Sequence, residues 1–287
     1  MVSPVICVIV PVYGNWEDTL ECLKALELQS NTGFQILIAD DGSPVPPPPE
    51  IHELKRTRYF RAENVGFGRN CNRAASKAIA EGATHLLFLN SDTKVGPDFM
   101  DRLLSRITEL PDAILSPVTY WASDPGRIWS SGGKATLLTP FIRSRKHFDA
   151  VTEVEVVTGC AILVPTSAWR MLGGFDANYS MYFEDFDLAL RAKGKGIRIF
   201  VVPDRELNVL HRVSGSFRGT RVWTKHYLML TSTLIFIRTH SRGLRKALGL
   251  MLAGAHLAVT ALVSLPELPR PKLLWTALVQ GFSKQLR

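Results

Sequence analysis

VICVIVPVYGNWEDTLECLKALELQSNTGFQILIADDGS, residues 5–43, reads as strand, helix, strand. Val5 to Val10 is an unbroken apolar run, the mark of a strand buried on both faces, and Phe34 to Ala39 repeats it. Trp16 to Leu28 fills the gap between them as a helix. Outward from this unit lie a proline-rich loop, Pro44 to Pro49, and a short strand near Thr57 to Phe60. A helix from about Phe67 to Ala80 and a buried strand, Thr84 to Leu89, complete a βαβαβ alternation. Such an order defines an α/β fold with a mostly parallel sheet covered by helices, and ligands of open sheets gather at the strands' carboxyl ends. Pro11-Val12-Tyr13-Gly14, Asp40-Asp41-Gly42-Ser43 and Asn90-Ser91-Asp92 all fall there. Each alone is ordinary turn chemistry. Three on one sheet edge indicate a binding site.

Asn64-Val65-Gly66-Phe67-Gly68-Arg69-Asn70 introduces the helix from about Phe67 and could bring backbone N–H groups and Arg69 near a phosphate. No GxGxxG follows the first strand and no Walker sequence occurs, so a nucleotide would be held in another way. Beyond Pro111 the alternation yields to short β segments, Ala113 to Thr119, Ile128 to Ser131 and Val154 to Thr158, around a turn-rich insert with a basic patch, Arg143 to His147. Residues 158–190, TGCAILVPTSAWRMLGGFDANYSMYFEDFDLAL, then place a strand, a Gly-Gly turn and three acids, Glu184, Asp185 and Asp187, at a loop-to-helix junction. Acids at a helix start offset its dipole, but a cluster behind a tight glycine turn favours chemistry. Asp187 could equally cap the helix or pair with Arg191 one turn on. Residues 1–110 and 111–215 read as two halves of one fused domain, and 216–287 as a helical tail, without internal repeats.

The 287 residues suffice for a large core, and 46% hydrophobic content is ordinary for a globular protein. Cys7, Cys22, Cys71 and Cys160 show no CxxC spacing, which suggests neither a zinc site nor a disulfide framework and fits a reducing cytosol. The N-terminus shows no basic leader. From Arg212 to Arg287 there are 12 Lys and Arg against one acid, Glu267, whereas the first 211 residues hold 22 basic against 25 acidic residues. Within that tail Ala247 to Leu265 is free of charged side chains. Its length approaches a membrane span, its glycines, alanines and His256 equally suit a surface-lying helix, and a buried core helix is the third reading. The interleaved residues are aliphatic, so anionic lipid rather than nucleic acid is the expected polyanion.

PVYG near the start, DDGS after the second strand, ENVGFGRNCN, LNSD, and TGCAILVP, GGFD and YFEDFDL in that order resemble the family 2 glycosyltransferases, nearest to rhamnosyltransferase-like members. The resemblance spans about residues 5–215. It implies a GT-A fold with C-terminal helices added, inversion at the anomeric carbon, a nucleotide-diphospho-sugar donor, a divalent cation (Mg2+ or Mn2+) and a cytoplasmic setting. It places Pro11, Tyr13, Asp40 and Asp41 at the nucleoside, with Asn64, Gly66, Arg69, Asn70, Asn90 and Ser91 along the donor. Asp92 matches the last acid of the family's DxD metal motif, whose first acid is Asn90 here, and His211 matches a third metal element within His211 to Ser216. For His211 a structural role stays open beside the ligand role. Asp185 matches the catalytic base and Glu184 its neighbour. Trp129 and the aromatics Tyr179, Tyr182 and Phe183 could line a sugar or pack the core. The implied acceptor is a glycan or polyprenyl-linked glycan at the inner face of the membrane. The departure at Asn90 keeps a second reading open, a catalytically impaired nucleotide-sugar-binding scaffold.

Overall fold

Residues 4–134, 147–212 and 222–263, with Thr276, Val279 and Gln280, are described by a computed structural model. Strands β1 (Ile6–Val12), β2 (Phe34–Asp40) and β3 (Thr57–Arg61) run parallel, with helix α1 (Trp16–Glu27) between the first two. Helix α2 (Phe67–Ala80) leads to β4 (His85–Leu89), which returns parallel to the other side of β1. Side chains alternate faces along a strand. Ile6, Val8 and Val10 of β1 accordingly join one core with Leu23 and Leu26 of α1, while Cys7 and Ile9 join another with Cys71, Ala74 and Ala78 of α2. Both faces are covered, which is why these strands read as apolar runs and not as alternating ones.

After β5 (Thr93–Val95), helix α3 (Phe99–Glu109) adds Phe99, Met100, Leu103 and Ile107 to the α1 side. The segment read as one strand from Ala113 to Thr119 is two, β6 (Ile114–Pro117) and β7 (Thr119–Trp121), which lie in different sheets. Hairpin partner β8 (Asp124–Ser130) follows, then β9 (Thr152–Val154). The strand expected to run to Thr158 stops at Val154, because the N–H groups of Glu155 and Val156 turn to the Gly133 carbonyl, at 2.9 and 3.1 Å. Strand β10 (Ala161–Pro165) enters the main sheet antiparallel, between β4 and β6. Helices α4 (Thr166–Leu172) and α5 (Glu184–Gly194) cover the α2 side, and β11 (Ile199–Val202) and β12 (Val209–His211) end this part. The main sheet has the order β3-β2-β1-β4-β10-β6-β11-β9, and the smaller one β5-β12-β7-β8.

Helix α6 (Val222–His240) packs Ile235 and Phe236 into the α2-side core. Helix α7 (Gly243–Val263) sets Ala253 and Leu250 on Leu230, Leu234 and Ile237 of α6. Leu244, Leu248, Met251 and Leu252 of α7 are exposed. No helix of the described residues is long and apolar enough to cross a membrane. Most of the Arg143 to His147 patch, the His211 to Ser216 element beyond Arg212, and the end of the Ala247 to Leu265 run lie outside the described residues.

Candidate active site

The ends of β1 and β2 carry the first group of expected residues. Asp40 is fully buried and its carboxylate is occupied within the fold, accepting from the Ser43 N–H (2.8 Å), the Ser43 hydroxyl (2.5 Å) and the Tyr59 hydroxyl (2.5 Å). Burial, with Asp40 alongside, pushes the Tyr59 phenol up to about 12, so it stays a donor. Asp40 thus braces the turn, and Ser43 passes the brace to β1 by accepting the Gly14 N–H at 2.8 Å. Its neighbour Asp41 accepts the N–H groups of Val65 (2.8 Å) and Gly66 (3.0 Å) and so holds the loop before α2. Burial raises its pKa. Pro11 is buried within β1, whereas Tyr13 and Asn64 are exposed beyond the strand ends. Asn70 is buried and donates to the Ala39 carbonyl at 2.6 Å, and exposed Arg69 donates to the Ala177 carbonyl at 2.9 Å.

Gly66 has φ 89° and ψ 158°, a region essentially closed to other residues. A Cβ there would lie 2.7 Å from the Ser180 carbonyl oxygen, which also accepts the Phe67 N–H at 2.9 Å. The loop before α2 and the segment leading to the three acids are therefore in direct backbone contact.

At the end of β4 the Asn90 N–H donates to the Cys160 carbonyl at 2.9 Å, and the Asn90 carbonyl accepts the Thr93 hydroxyl at 2.7 Å. Antiparallel pairing of β12 with β5 sets His211 opposite Thr93. His211 Nε2 consequently reaches Asp92 Oδ1 at 3.1 Å, both side chains being buried. The Trp129 ring meets the imidazole edge-on, 4.3 Å between centroids at 81°, a packing position on the smaller sheet. Arg212 donates its N–H to the Asp92 carbonyl (2.8 Å) and pairs with Asp18 (2.7 Å) and Glu21 (3.0 Å) of α1. Adjacent ligands of an octahedral ion with bonds of about 2.1 Å stand roughly 3 Å apart. The Asp92–His211 spacing fits two such positions. Among the described residues no three His, Cys, Asp or Glu side chains are placed to hold a metal ion together, so other ligands would have to come from the nucleotide and water.

The three acids open α5. Immediately before them Tyr182 (φ 72°) and Phe183 (φ 67°) both take left-handed backbone conformations, each disfavoured by about 1–3 kcal/mol for a bulky side chain. Such strain persists only where the surroundings enforce it. Here the Asp187 N–H caps onto the Phe183 carbonyl at 2.9 Å, and the Ser232 hydroxyl of α6 donates to the Met181 carbonyl at 2.7 Å. Asp185 is half-buried and its carboxylate accepts the Gly159 N–H (2.7 Å) and the Phe186 N–H (2.8 Å). Glu184 is buried, and one of its oxygens finds no hydrogen-bond donor among the described residues. Burial foremost, and the adjacent Asp185 charge, push its carboxyl well above the ordinary 4.5. Asp187 faces inward and pairs with Arg191 (2.6 Å) and with His240 Nε2 of α6 (2.9 Å). Desolvation opposes its charge, but these partners prevail and lower its pKa. His240 and Ser232 carried no local signal in the sequence, lying about 50 residues from the groups they contact.

A mostly parallel sheet with acidic strand ends, extended by an antiparallel strand and an acid-bearing helix, defines the class: a glycosyltransferase of the GT-A fold. The chain belongs to glycosyl transferase family 2, whose model matches residues 7–171. It is similar to the N-acetylglucosaminyl-diphospho-decaprenol L-rhamnosyltransferase of Mycobacterium tuberculosis, 28% identical over 244 residues that cover 75% of this chain and 78% of that protein. Crystal structures of S. aureus TarS 1-349 (TM-score 0.59, 17% identity, 96% of this chain and 79% of that one) share the fold. So does GalNAc-T7 with UDP, GalNAc and Mn2+ (TM-score 0.61, 16% identity), where the match covers 82% of this chain and 48% of that one.

Proposed function

We propose that the enzyme inverts configuration as it moves a sugar, rhamnose from a deoxythymidine-diphosphate donor as the first choice and a hexose from a uridine-diphosphate donor as the second, onto a hydroxyl of a lipid-linked glycan. One observation carries this reading. Neighbouring residues Gly159 and Cys160 hold the two sides of the reaction, Gly159 through its N–H on Asp185 and Cys160 through its carbonyl on the Asn90 N–H. The base and the donor-side strand end are thus one residue apart along β10's leading edge.

In the proposed step Asp185 accepts the proton of the acceptor hydroxyl as the oxygen attacks the anomeric carbon. The two N–H donors on Asp185 hold its carboxylate in one orientation. Glu184 lies buried beside it, its carboxyl pushed well above the ordinary range by burial and by the Asp185 charge. The bond from the anomeric carbon to the diphosphate breaks on the opposite side, which inverts the centre. Asp92 and His211 would hold a divalent cation, which when bound supplies charge neutralisation for the departing diphosphate. Tyr13 and Asp41 belong to the nucleoside end. The exposed Leu244, Leu248, Met251 and Leu252 of α7, near Arg242, Arg245 and Lys246, suit peripheral contact of residues 216–287 with an anionic membrane, on its inner face, where a polyprenyl-linked acceptor in polysaccharide synthesis resides.

The test incubates the full chain with deoxythymidine-diphospho-rhamnose or uridine-diphospho-hexoses, Mn2+, and polyprenyl-diphospho-N-acetylglucosamine, reading the product's anomeric configuration by NMR. A rhamnosylated, inverted product is the expected result. Retention of configuration, or release of free sugar alone with every acceptor, would overturn the reading.

A further inference from the structure

Asp185 and Asp187 are two positions apart on α5, so their side chains leave the helix about 200° from one another. Gly159 restrains Asp185 on one side. On the other, Asp187 is wholly buried and gripped twice. Arg191 forms a two-pronged contact from within α5 (Nε 2.8 Å, Nη2 2.6 Å) and also donates to the carbonyls of Leu172 (2.7 Å) and Gly174 (2.9 Å). The second grip, His240, comes from the last residue of α6.

Ser232, Phe236 and His240 recur every fourth residue and so share one face of α6. Ser232 holds the Met181 carbonyl, the Phe236 ring lies 6.0 Å from that of Phe183, and His240 holds Asp187. One helix face therefore touches the left-handed Tyr182–Phe183 pair on both of its flanks. Arg191 already neutralises Asp187 within α5. The His240 bond adds a tie between elements, from the last residue of α6 to the first turn of α5.

We propose that His240 is a positioning residue for glycosyl transfer: through Asp187 it fixes the first turn of α5 and with it the direction of the Asp185 carboxylate. The inference rests on the reading of Asp185 as the base. It makes α6, which lies beyond the span of the family match, part of the catalytic apparatus.

His240→Ala and His240→Gln in the full chain test it, since glutamine keeps an N–H near the Nε2 position. kcat, donor KM, nucleotide Kd and the unfolding midpoint are measured for each. The expected result is a fall in kcat of about tenfold to a hundredfold for His240→Ala, the loss that follows small misplacements of a reacting group. Nucleotide Kd stays within about twofold and His240→Gln recovers most of kcat. Wild-type kcat in His240→Ala, equal damage in both variants, or loss of nucleotide binding in step with kcat would overturn it. Asp185→Asn is assayed alongside, and full transfer by that variant would overturn the base assignment itself.

Discussion

Gly66→Ala is the substitution for which the geometry makes the sharpest demand. The new methyl would lie 2.7 Å from the Ser180 carbonyl oxygen and 3.2 and 3.3 Å from that residue's Cα and carbonyl carbon, all backbone atoms that cannot swing aside. The backbone at φ 89° and ψ 158° adds about 1–3 kcal/mol for any residue with a Cβ. Forcing a methylene-sized group into a packed contact adds about 1–3 kcal/mol more, so the expected loss is roughly 2–6 kcal/mol. Gly82→Ala is the control, because Gly82 has φ 93° but nothing within 4 Å of its Cβ, leaving the backbone effect alone. Urea unfolding of the three proteins, with the slope unchanged, measures both. The damage in Gly66→Ala should also reach catalysis, since Ser180 leads into the strained pair ahead of Asp185. A Gly66→Ala enzyme no less stable than Gly82→Ala, with wild-type kcat, would refute the reasoning.

Asp185→Asn should leave nucleotide binding intact and lower kcat by about 10²–10⁴-fold, which calorimetry and a transfer assay together would register. Glu184 has a folded pKa raised above 4.5, so the folded state binds the extra proton and stability falls as pH rises from about 4.5 toward that raised value. Glu184→Gln should flatten this dependence between urea midpoints at low and neutral pH, and an unchanged slope would count against a raised Glu184 pKa. Asp187 behaves oppositely, its stabilisation being complete above its ordinary 3.8 and lost as pH falls through its lowered value. Replacing it with asparagine should destabilise by about 3–5 kcal/mol by leaving Arg191 poorly paired in a buried setting, as thermal or urea unfolding would report. Asp92→Ala and His211→Ala should each weaken Mn2+-dependent nucleotide binding by about tenfold or more, whereas equal binding in excess chelator would remove both from the metal's company.

The central strands were legible because burial on both faces writes them as apolar runs, and the Asp187–Arg191 pair because four residues is one helical turn. Strands β5 and β12, three residues each, are too short to carry a period, so the meeting of His211 with Asp92 could come only from the resemblance. Adjacent strand residues face opposite ways, and nothing local says that Asp40 turns inward to Ser43 and Tyr59 while Asp41 reaches the loop before α2. The direction of β10 is equally silent, as an apolar run reads the same parallel or antiparallel. Left-handed Tyr182 and Phe183 run against their own preference, and contacts distant in sequence impose the conformation.

Strand β10 also limits how the molecule can be recombined. It fills the seam between β4 and β6, pairing Ala161 with Leu89 and Pro165 with His85. A fragment ending near residue 110 would present β4, whose five residues are all buried here, as an apolar open edge, a template for association with other chains. Hybrids that graft the later half of a relative onto the first half of this chain must therefore keep β4 and β10 from one parent. A breakpoint between them would separate the two strands whose joint ties the Asn90 end of β4 to Gly159 and, through it, to Asp185.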